Sequence, residues 1–492
     1  MNGRGDEILI IGAGFGGIAA AIELRRHGFD RVRIMEAAPQ LGGTWHYNTY
    51  PGVACDVPGH AYSFSFEQRH DWSRLCSHGD EILAYMRAVA DRYGIEPLIE
   101  YSRRVSRCEF DERLGRWRVT AADGATREAA ALVIATGQLN RPRIPELPGL
   151  GSFAGHSFHS ARWDHGYDLR GRRVAVVGTG ASAIQFVPEI APIVSRLTVF
   201  QRSANWLLPR RNHVYPPRVR RLIQTVPGLQ RLRRAALFGV LEGLTASILH
   251  PRTVGRLLAL RSSIFMRSQL RDPELRRRAW PDYPFGCKRV LFSSHYLPAL
   301  GRPNVELIGE PIEELTPTGI RTADGALHEV DCIIWGTGFQ TTAPVAPIEV
   351  VGAGGRRLAE AWAGGPHAFL GLTVPGFPSM FLMYGPNTNT SGGSIIFFLE
   401  AQARYVRQAL GHVRAGGWRT LDVRPEVEAA FDAQTQARFR GTAWLECDSW
   451  YRDERGRVVT NWPGYMHEYR RRTSAFRPSD YVFAPAATRA AG

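Results

Sequence analysis

The 492-residue sequence predicts an α/β fold made of two similar units, with a helical insertion in the second unit. Three observations support this fold. The order apolar strand, glycine-rich turn, apolar-faced helix and second strand occurs twice, first from residue 7 and again from residue 172. A later apolar strand that runs into a glycine turn closes each unit, at 131–140 and at 331–340. Residues 209–285 show helical stretches interrupted by prolines. Strands that alternate with helices are typical of parallel sheets.

The first unit begins EILIIGAGFGGIAAAIELRRHG and contains the pattern G-x-G-x-x-G. Glycines at these positions allow a tight turn and let backbone N–H groups approach a pyrophosphate at the helix N-terminus, where the helix dipole favours negative charge. The second strand, RVRIME, ends in an acid whose carboxylate can accept hydrogen bonds from a ribose diol. A Rossmann-like dinucleotide site is therefore predicted, with the candidate contacts Gly12, Gly14, Phe15, Gly17 and Glu36.

The second unit contains RRVAVVGTGASAIQ, with the small Ala183 at the third glycine position. In the first unit the acid lies 24 positions after the first glycine. The same distance, counted from Gly178 in the second unit, leads to Arg202. A guanidinium next to the hydroxyl of Ser203 suits a 2′-phosphate. We therefore expect NADPH in the second unit and, by elimination, FAD in the first; the alternative is that Arg202 is one more surface arginine. The candidate NADP contacts are Gly178, Thr179, Gly180, Ala181, Ser182, Gln185, Arg202 and Ser203.

The net charge of +15 comes almost wholly from arginine, because sixty arginines accompany a single lysine, Lys288. Arginine spread over most of a chain is usually a solvated surface, so no nucleic-acid partner is expected, and polyanion binding is the alternative. The longest apolar stretch, 235–249, is too short to span a bilayer and contains Glu242. No secretory signal is evident. We predict a soluble, cytoplasmic protein without membrane association.

The six cysteines are scattered and include no C-x-x-C pair. This spacing argues against a zinc ribbon, a disulfide framework and a dithiol redox centre. We therefore expect no metal site and predict free thiols, as in a reducing cytoplasm.

Two longer patterns connect the chain with a known family. The stretch FAGHSFHSARWD shows no helix or strand periodicity, but it matches the pattern F-x-G-x-x-x-H-x-x-x-W followed by Pro or Asp. A second pattern is matched by GGTWHYNTYPGVACD at 42–56. In both patterns the chain resembles the type I Baeyer–Villiger monooxygenases. Related flavin monooxygenases that oxidise nitrogen or sulfur usually carry Tyr or Phe at the tryptophan of the first pattern. The matching residues there are Phe153, Gly155, His159, Trp163 and Asp164.

The resemblance implies that NADPH reduces FAD, that O2 adds to the reduced ring, and that an anionic peroxyflavin attacks a ketone to give an ester or lactone. In this family the arginine of a K-R pair supplies the positive charge beside the anion, and the match here is Lys288–Arg289. Lys288 would contact the NADP phosphate, and Arg289 would stabilise the anion. Asp56 would lie near the flavin and hold that arginine; the alternative is an aspartate that caps a turn.

The resemblance also assigns roles to other side chains. His159 is expected to fix the domain orientation through a backbone hydrogen bond, with acid–base catalysis as the alternative. Trp450 matches a tryptophan on a mobile loop that closes over NADP, with ordinary packing as the alternative, and Gln138 would approach the nicotinamide. The residues that would line FAD are Gly43, Thr44, Trp45, Asp56, Val57 and Tyr62.

The predicted domains follow from the interrupted units. A helical cap would form one side of the ketone pocket. The segments of the cap that combine apolar residues with arginines are expected to bury one helix face in the protein, with membrane contact as the alternative. The linker that matches the family is a candidate hinge. The boundaries are 1–150 and 341–492, with a C-terminal loop, for the FAD domain; 151–208 and 286–340 for the NADP domain, with the linker at 151–164; and 209–285 for the cap.

Three other functions are weighed against ketone oxygenation. The same cofactors could oxygenate sulfur or nitrogen. A flavoprotein that binds both nucleotides without catalysis would have no reason to keep a cation beside the flavin, so Lys288–Arg289 argues against it. A dithiol reductase is disfavoured because there is no cysteine pair. The leading prediction is thus an enzyme whose partners are a small-molecule ketone and O2.

Overall fold

The computed structural model describes residues 6–210 and 212–485. The strands of this part of the chain are β1 Ile8–Ile11, β2 Val32–Met35, β3 Ile99–Glu100, β4 Val105–Asp111, β5 Arg116–Ala121, β6 Thr126–Ala129, β7 Ala131–Ile134, β8 His156–His159, β9 Arg173–Val177, β10 Arg196–Phe200, β11 Leu207–Leu208, β12 Leu291–Phe292, β13 Val305–Ile308, β14 Ile312–Thr316, β15 Gly319–Thr322, β16 Leu327–Glu329, β17 Cys332–Trp335, β18 Glu349–Val351, β19 Met380–Leu382, β20 Trp418–Val423 and β21 Tyr481–Pro485. The α-helices are α1 Phe15–Arg26, α2 Thr44–Tyr47, α3 Gly79–Arg92, α4 Ala183–Ile190, α5 Pro217–Thr225, α6 Leu229–Leu249, α7 Arg256–Gln269, α8 Pro273–Arg278, α9 Tyr296–Leu300, α10 Leu358–Ala361, α11 Ile395–Ala415, α12 Pro425–Ala437 and α13 Met466–Arg472.

Two parallel sheets of five strands form the centres of the two units. The strand order is β19-β7-β1-β2-β3 in the first sheet and β13-β10-β9-β17-β8 in the second. In each sheet the strand that leads into the glycine turn, β1 or β9, lies between the second strand of its unit and the closing strand. The prediction of two Rossmann-like α/β units is therefore confirmed.

The central strands are apolar because both faces of each sheet are covered. All four residues of β1, β7 and β17 are buried, as is usual for parallel strands between two layers. The helices α1 and α11 pack against each other in the first unit. On the other side of each parallel sheet lies an antiparallel sheet, made of β4, β5 and β6 with the parallel strand β18 in the first unit and of β14, β15 and β16 in the second.

The linker segment contains a strand that we did not expect from the sequence. Residues His156–His159 form β8, which pairs in parallel with β17 at the edge of the second sheet, and a 3-10 turn follows at Ser160–Arg162. The strand is only four residues long, and as an edge strand it needs one pairing partner. Such a short strand shows too little alternation to be recognised by periodicity.

The prediction of free thiols is wrong for two of the six cysteines. Cys287 and Cys447 form a disulfide, with Cα atoms 6.0 Å apart and 160 positions between them in sequence. The other four cysteines are free and buried. Spacing rules identify pairs that are close in sequence, whereas the fold brings these two residues together from distant segments.

The insertion in the second unit is helical. It contains α5, α6, α7 and α8, with a π-helical turn, Pro251–Gly255, between α6 and α7. One face of α6 packs on the core of the first unit through Leu237, Leu241 and Leu244, as the expectation of a buried face requires. Within residues 6–210 and 212–485, no helix has the length and apolar character needed to cross a membrane. The exact domain boundaries stay a prediction.

Candidate active site

The glycine turn of the first unit presses the backbone against the neighbouring strand. Gly12 follows β1 with a φ of 104°, and a Cβ there would lie 2.6 Å from the carbonyl oxygen of Ala135. A Cβ on Gly17 would overlap the carbonyl of Gly12. Beside Gly14, in contrast, a Cβ would meet only the Cα of Gly43, at 3.7 Å. The N-terminal N–H groups of α1 therefore border an accessible backbone surface, and this arrangement fits a pyrophosphate.

Glu36 stands at the end of β2 with 6% of its surface exposed. Its Oε2 accepts a hydrogen bond of 2.6 Å from the Ala13 N–H, and its Oε1 accepts one of 2.8 Å from the Ala38 N–H. Burial raises the pKa of Glu36, and these backbone hydrogen bonds oppose the rise. Each carboxylate oxygen has a second lone pair. Glu36 thus braces the glycine turn and keeps acceptor capacity for a ribose diol.

Three aromatic rings pack beside the first glycine turn. Phe15 and Trp45 each meet Tyr62 edge to face, with ring centroids 5.4 and 5.7 Å apart. The Trp45 Nε1–H donates to the Tyr62 hydroxyl over 3.3 Å. Burial raises the pKa of Tyr62, so its phenol is neutral at physiological pH. Gly43 precedes α2 with a φ of 53°. The other predicted residues of this region, at the start of α2 and against the same core, are Thr44 and Val57.

The glycine turn of the second unit repeats this geometry. Gly178 has a φ of 103°, and a Cβ there would lie 2.5 Å from the carbonyl oxygen of Gly336, while a Cβ on Gly180 would meet no atom of the described residues within 4 Å. The turn is held by Asn205, whose Nδ2 donates to the Thr179 carbonyl over 2.7 Å. Asn205 was not predicted, because a single asparagine in a loop carries no motif. The remaining predicted residues of the turn, just before α4, are Ala181 and Ser182.

Two cations converge at the end of the second unit. The Lys288 Nζ donates to the Ser203 hydroxyl over 3.0 Å and lies 4.5 Å from the centre of the Tyr283 ring. Burial lowers the pKa of Lys288, and the positive charge of Arg202 lowers it further. Like charges repel unless an anion lies between them. Arg202, Ser203 and Lys288 therefore have the chemistry to bind a phosphate group, which for Arg202 and Ser203 was expected from the 24-position count and for Lys288 from the resemblance.

Arg289 and Asp56 form an ion pair. The Arg289 Nη2 lies 3.5 Å from the Asp56 Oδ2; the Asp56 side chain is 8% exposed and the Arg289 side chain 34%. The carboxylate is thus the more deeply buried partner of the pair. Burial favours the neutral guanidine, yet the pKa of Arg289 is raised, because the negative charge of Asp56 stabilises the guanidinium. The Asp56 Oδ1 is buried without a hydrogen-bond partner in the described parts of the chain.

The sequence did not predict the two tyrosines beside Arg289. Tyr384 has a φ of 61°, and its hydroxyl donates to the Asn389 Oδ1 over 2.7 Å. Tyr451 is fully buried, and its hydroxyl accepts a hydrogen bond of 3.4 Å from Ser391. Burial raises the pKa of both phenols, so both are neutral hydrogen-bonding groups. For Tyr451 a signal existed, since it directly follows the predicted Trp450.

The two predicted glutamines bind backbone groups. The Gln138 Nε2 donates to the carbonyls of Tyr384 and Gly385, over 3.0 and 2.9 Å, and its Oε1 is buried without a protein partner in the described structure. Gln185 on α4 donates to the Ala54 carbonyl over 3.0 Å and accepts from the Ala54 N–H over 3.2 Å. Gln185 therefore ties the second unit to the loop that leads to Asp56.

The linker residues lie on and after β8. Gly155 is required because a Cβ there would lie 2.7 Å from the Asp331 carbonyl oxygen. The His159 Nδ1 accepts a hydrogen bond of 3.1 Å from the Ala161 N–H, which lies within the linker itself, so a role in domain orientation stays a prediction. Burial lowers the pKa of His159 to about 4, so the ring is neutral at physiological pH. The other linker residues, which pack against the second unit or bond to its turns, are Phe153, Trp163 and Asp164.

Trp450 lies on the C-terminal segment close to the second unit. Its side chain is 38% exposed, and its carbonyl accepts a hydrogen bond of 3.3 Å from the Thr341 hydroxyl, at the crossing between the units. Its ring also contacts that of Tyr451, with centroids 4.3 Å apart. The indole is therefore partly buried and partly exposed, and its role towards NADP stays a prediction.

Comparisons with known proteins relate the whole chain to flavin-dependent oxygenases. A family model described as pyridine nucleotide-disulphide oxidoreductase matches residues 9–227. A Baeyer-Villiger monooxygenase of Streptomyces coelicolor is 43% identical over 486 residues, which cover 97% of this chain and 93% of the relative. The structure of an oxidized steroid monooxygenase bound to NADP matches with a TM-score of 0.88 and 30% identity, over 98% of this chain and 99% of that chain. OTEMO in complex with FAD and NADP matches with a TM-score of 0.86 and 29% identity, over 97% and 99% of the two chains.

Proposed function

The chain belongs to the Baeyer–Villiger monooxygenase family, and from this premise we propose that it inserts one oxygen atom from O2 next to a ketone carbonyl, to give an ester or a lactone. The observation that carries the proposal is the ion pair of Arg289 with Asp56, whose side chain is only 8% exposed. A cation held in place in a site that excludes most water strongly stabilises negative charge that develops beside it. Oxygen transfer to a ketone requires such stabilisation.

We assign FAD to the first glycine turn and NADPH to the second. Glu36 would accept hydrogen bonds from the ribose of FAD, and Trp45 and Tyr62 would form part of its wall. Arg202 and Lys288 would bind the 2′-phosphate of NADPH, with the Ser203 hydroxyl between them. When bound, NADPH supplies a hydride and reduced FAD supplies the means to activate O2. The similarity to a structure that contains both groups supports this assignment.

Arg289 is proposed to stabilise the anionic oxygen as it attacks the ketone. Its raised pKa keeps the guanidinium charged across the working pH range. Asp56 holds the guanidinium from one side. The distance between the Arg289 Nη2 and the Asp56 Oδ2 is 3.5 Å, which is long for a hydrogen bond, and the other N–H groups of Arg289 can donate to a second partner. Asp56 thus orients the cation without neutralising its effect on the substrate.

The proposed domains follow the two sheets. The FAD domain comprises 1–150 and 341–492, the NADP domain 151–208 and 286–340, and the cap 209–285. With these boundaries every strand of the first parallel sheet falls in the FAD domain and every strand of the second in the NADP domain. The helices α5 to α8 fall in the cap, which we propose as the wall of the ketone pocket.

The function is tested with the FAD-loaded protein, NADPH and air. One cyclic ketone and one aryl alkyl sulfide are supplied in separate reactions, and the products are identified by mass. We expect an ester or lactone from the ketone and NADPH consumption that rises with ketone concentration. If the first ketone does not react, a panel of cyclic, linear and aryl ketones is tested. If sulfoxide accumulates while every ketone of this panel stays unchanged, the chain oxygenates sulfur and the proposal fails.

A further inference from the structure

Arg210 is a second arginine at the loop that carries Asp56. Its Nη2 donates to the Cys55 carbonyl over 3.0 Å, so it binds the peptide group that directly precedes Asp56. Arg210 follows β11, and its own backbone is fixed on both sides by Ser294, whose hydroxyl accepts from the Arg210 N–H over 3.1 Å and donates to the Arg210 carbonyl over 3.2 Å. The guanidinium therefore projects from a rigid base.

The loop around Asp56 is held at two consecutive carbonyls. Arg210 binds the carbonyl of Cys55, and the Cys76 thiol donates to the carbonyl of Asp56 over 3.6 Å. Cys76 is in turn positioned by Asn212, whose Oδ1 accepts from the Cys76 N–H over 2.9 Å. Arg210 and Asn212 lie in the same short segment after β11, so one segment of the chain fixes both peptide groups that flank the Asp56 side chain.

Arg210 is also close enough to Asp56 for their charges to act on the same groups. Burial raises the pKa of Cys76 to about 11; Arg210 opposes the rise and Asp56 adds to it. Burial likewise raises the pKa of the Tyr50 phenol to about 12; Asp56 adds to this rise and Arg210 opposes it. The Arg210 Nε is buried without a partner in the described structure, as is the Asp56 Oδ1. Arg289 and Arg210 thus provide two positive charges near one buried carboxylate.

We propose that Arg210 is a positioning residue for the reaction: it fixes the Cys55–Asp56 peptide and shares the charge of Asp56, so that Asp56 holds Arg289 loosely in the orientation that stabilises the anion. The inference rests on the proposed function. Arg210 contacts neither the substrate nor the cofactors in this scheme and acts only through Asp56. Without Arg210, the Cys55–Asp56 peptide loses its guanidinium donor and becomes mobile, and the carboxylate then draws the Arg289 guanidinium away from the reacting oxygen.

The experiment measures coupling, the amount of ester formed per NADPH consumed, in the FAD-loaded enzyme. Arg210→Gln removes the charge, Arg210→Lys keeps it, and Arg118→Gln is the control at an exposed arginine on β5, outside the cap. We expect Arg210→Gln to lower coupling about tenfold, as for the loss of one charge-assisted hydrogen bond, with hydrogen peroxide formed instead. The rate of flavin reduction by NADPH should stay within about twofold of wild type. Arg210→Lys should restore most of the coupling, and Arg118→Gln should not change it.

A double variant shows whether Arg210 acts through Asp56. In the Asp56→Asn background, Arg210→Gln is expected to change coupling by less than about twofold, because the two losses are not additive for residues that work as a unit. An equal tenfold loss in both backgrounds, or unchanged coupling in Arg210→Gln, overturns the inference. If Arg210→Gln does not retain FAD, Ser294→Ala tests the same point, with a smaller loss expected and unchanged coupling as the contrary result. If wild type forms no ester from any ketone, it is the proposed function that fails.

Discussion

Cys287 and Cys447 form a disulfide that joins two segments of the active site. Cys287 directly precedes Lys288 and Arg289, whereas Cys447 lies three positions before Trp450. The bond therefore limits how far the C-terminal segment can move from the K-R pair. The segment that carries Trp450, which the resemblance predicts to close over NADP, is thus covalently attached next to Lys288, the residue proposed to bind the NADP phosphate.

The disulfide predicts a thiol count and a stability difference. Titration of protein denatured without reductant should give four thiols, and titration after reduction should give six. Because the bond closes a long loop, Cys447→Ser should lower the free energy of unfolding by about 2–5 kcal/mol. Cys287→Ser should have the same effect, and the double variant should be no less stable than either single one. Six thiols in the unreduced protein would contradict the bond.

Replacement of Arg289 is expected to separate reduction from oxygenation. Arg289→Ala should leave flavin reduction by NADPH detectable and lower ester formation by a factor of about 10² to 10³, because a preorganised cation is lost. Reduction is followed as the loss of flavin absorbance without air, and ester is measured by mass in air. Arg289→Lys is the matched variant, and it should recover part of the activity because it keeps the charge without the planar fork. An unchanged ester yield in Arg289→Ala would remove this residue from its role.

The cofactor turns were predictable from sequence because local geometry dictates the residue type. Gly12 and Gly178 stand where a Cβ would collide with a backbone carbonyl, so the chain accepts only glycine there. The parallel sheets followed from their apolar strands. Asn205 and Arg210 were missed, because each works through a contact with a distant segment that no spacing in the sequence encodes. Tyr384 was missed because Arg289, the charge it lies near, belongs to a distant segment as well.

The disulfide and the edge strand β8 were missed for a related reason. Cys287 and Cys447 are brought together by packing, and β8 is a strand only because β17 offers it a pairing edge. By contrast, the pair Arg289–Asp56 was expected from the resemblance, and the geometry of the pair agrees with it. Local rules thus predicted the cofactor turns, whereas tertiary contacts decided the positioning residues.

Arg202 is expected to select NADPH over NADH. Arg202→Ala should raise the KM for NADPH about 10- to 100-fold, since a charge-assisted hydrogen bond to the 2′-phosphate is lost. The KM for NADH, which has no such phosphate, should change little. Arg196→Ala is the control, because Arg196 is an exposed arginine at the start of β10 that pairs with Glu306. If NADPH and NADH weaken alike in Arg202→Ala, the phosphate assignment is wrong.

The neutral state of His159 predicts a loss of stability in acid. Its folded-state pKa of about 4 lies below the ordinary value of 6.5, so between these two pH values the unfolded chain binds more protons than the folded one. Stability therefore falls as pH falls below 6.5, by about 2 kcal/mol per buried histidine between pH 6.5 and 5. Denaturant unfolding at both pH values should show a smaller fall for His159→Gln. The exposed His165 provides the control variant His165→Gln, which should keep the wild-type dependence.

The second glycine turn allows a test that separates folding from cofactor binding. Gly178→Ala places a Cβ 2.5 Å from the Gly336 carbonyl oxygen at a φ of 103°, so this variant should lower the free energy of unfolding by about 1–3 kcal/mol. The added methyl group of Gly180→Ala meets no atom of residues 6–210 and 212–485 within 4 Å, so the stability of this variant should match wild type. A methyl group at that position nevertheless stands where the pyrophosphate of NADPH must approach the backbone. Gly180→Ala should therefore raise the KM for NADPH about tenfold, equivalent to about 1.4 kcal/mol. Normal NADPH binding together with normal stability in Gly180→Ala would mean that the dinucleotide does not bind at this turn.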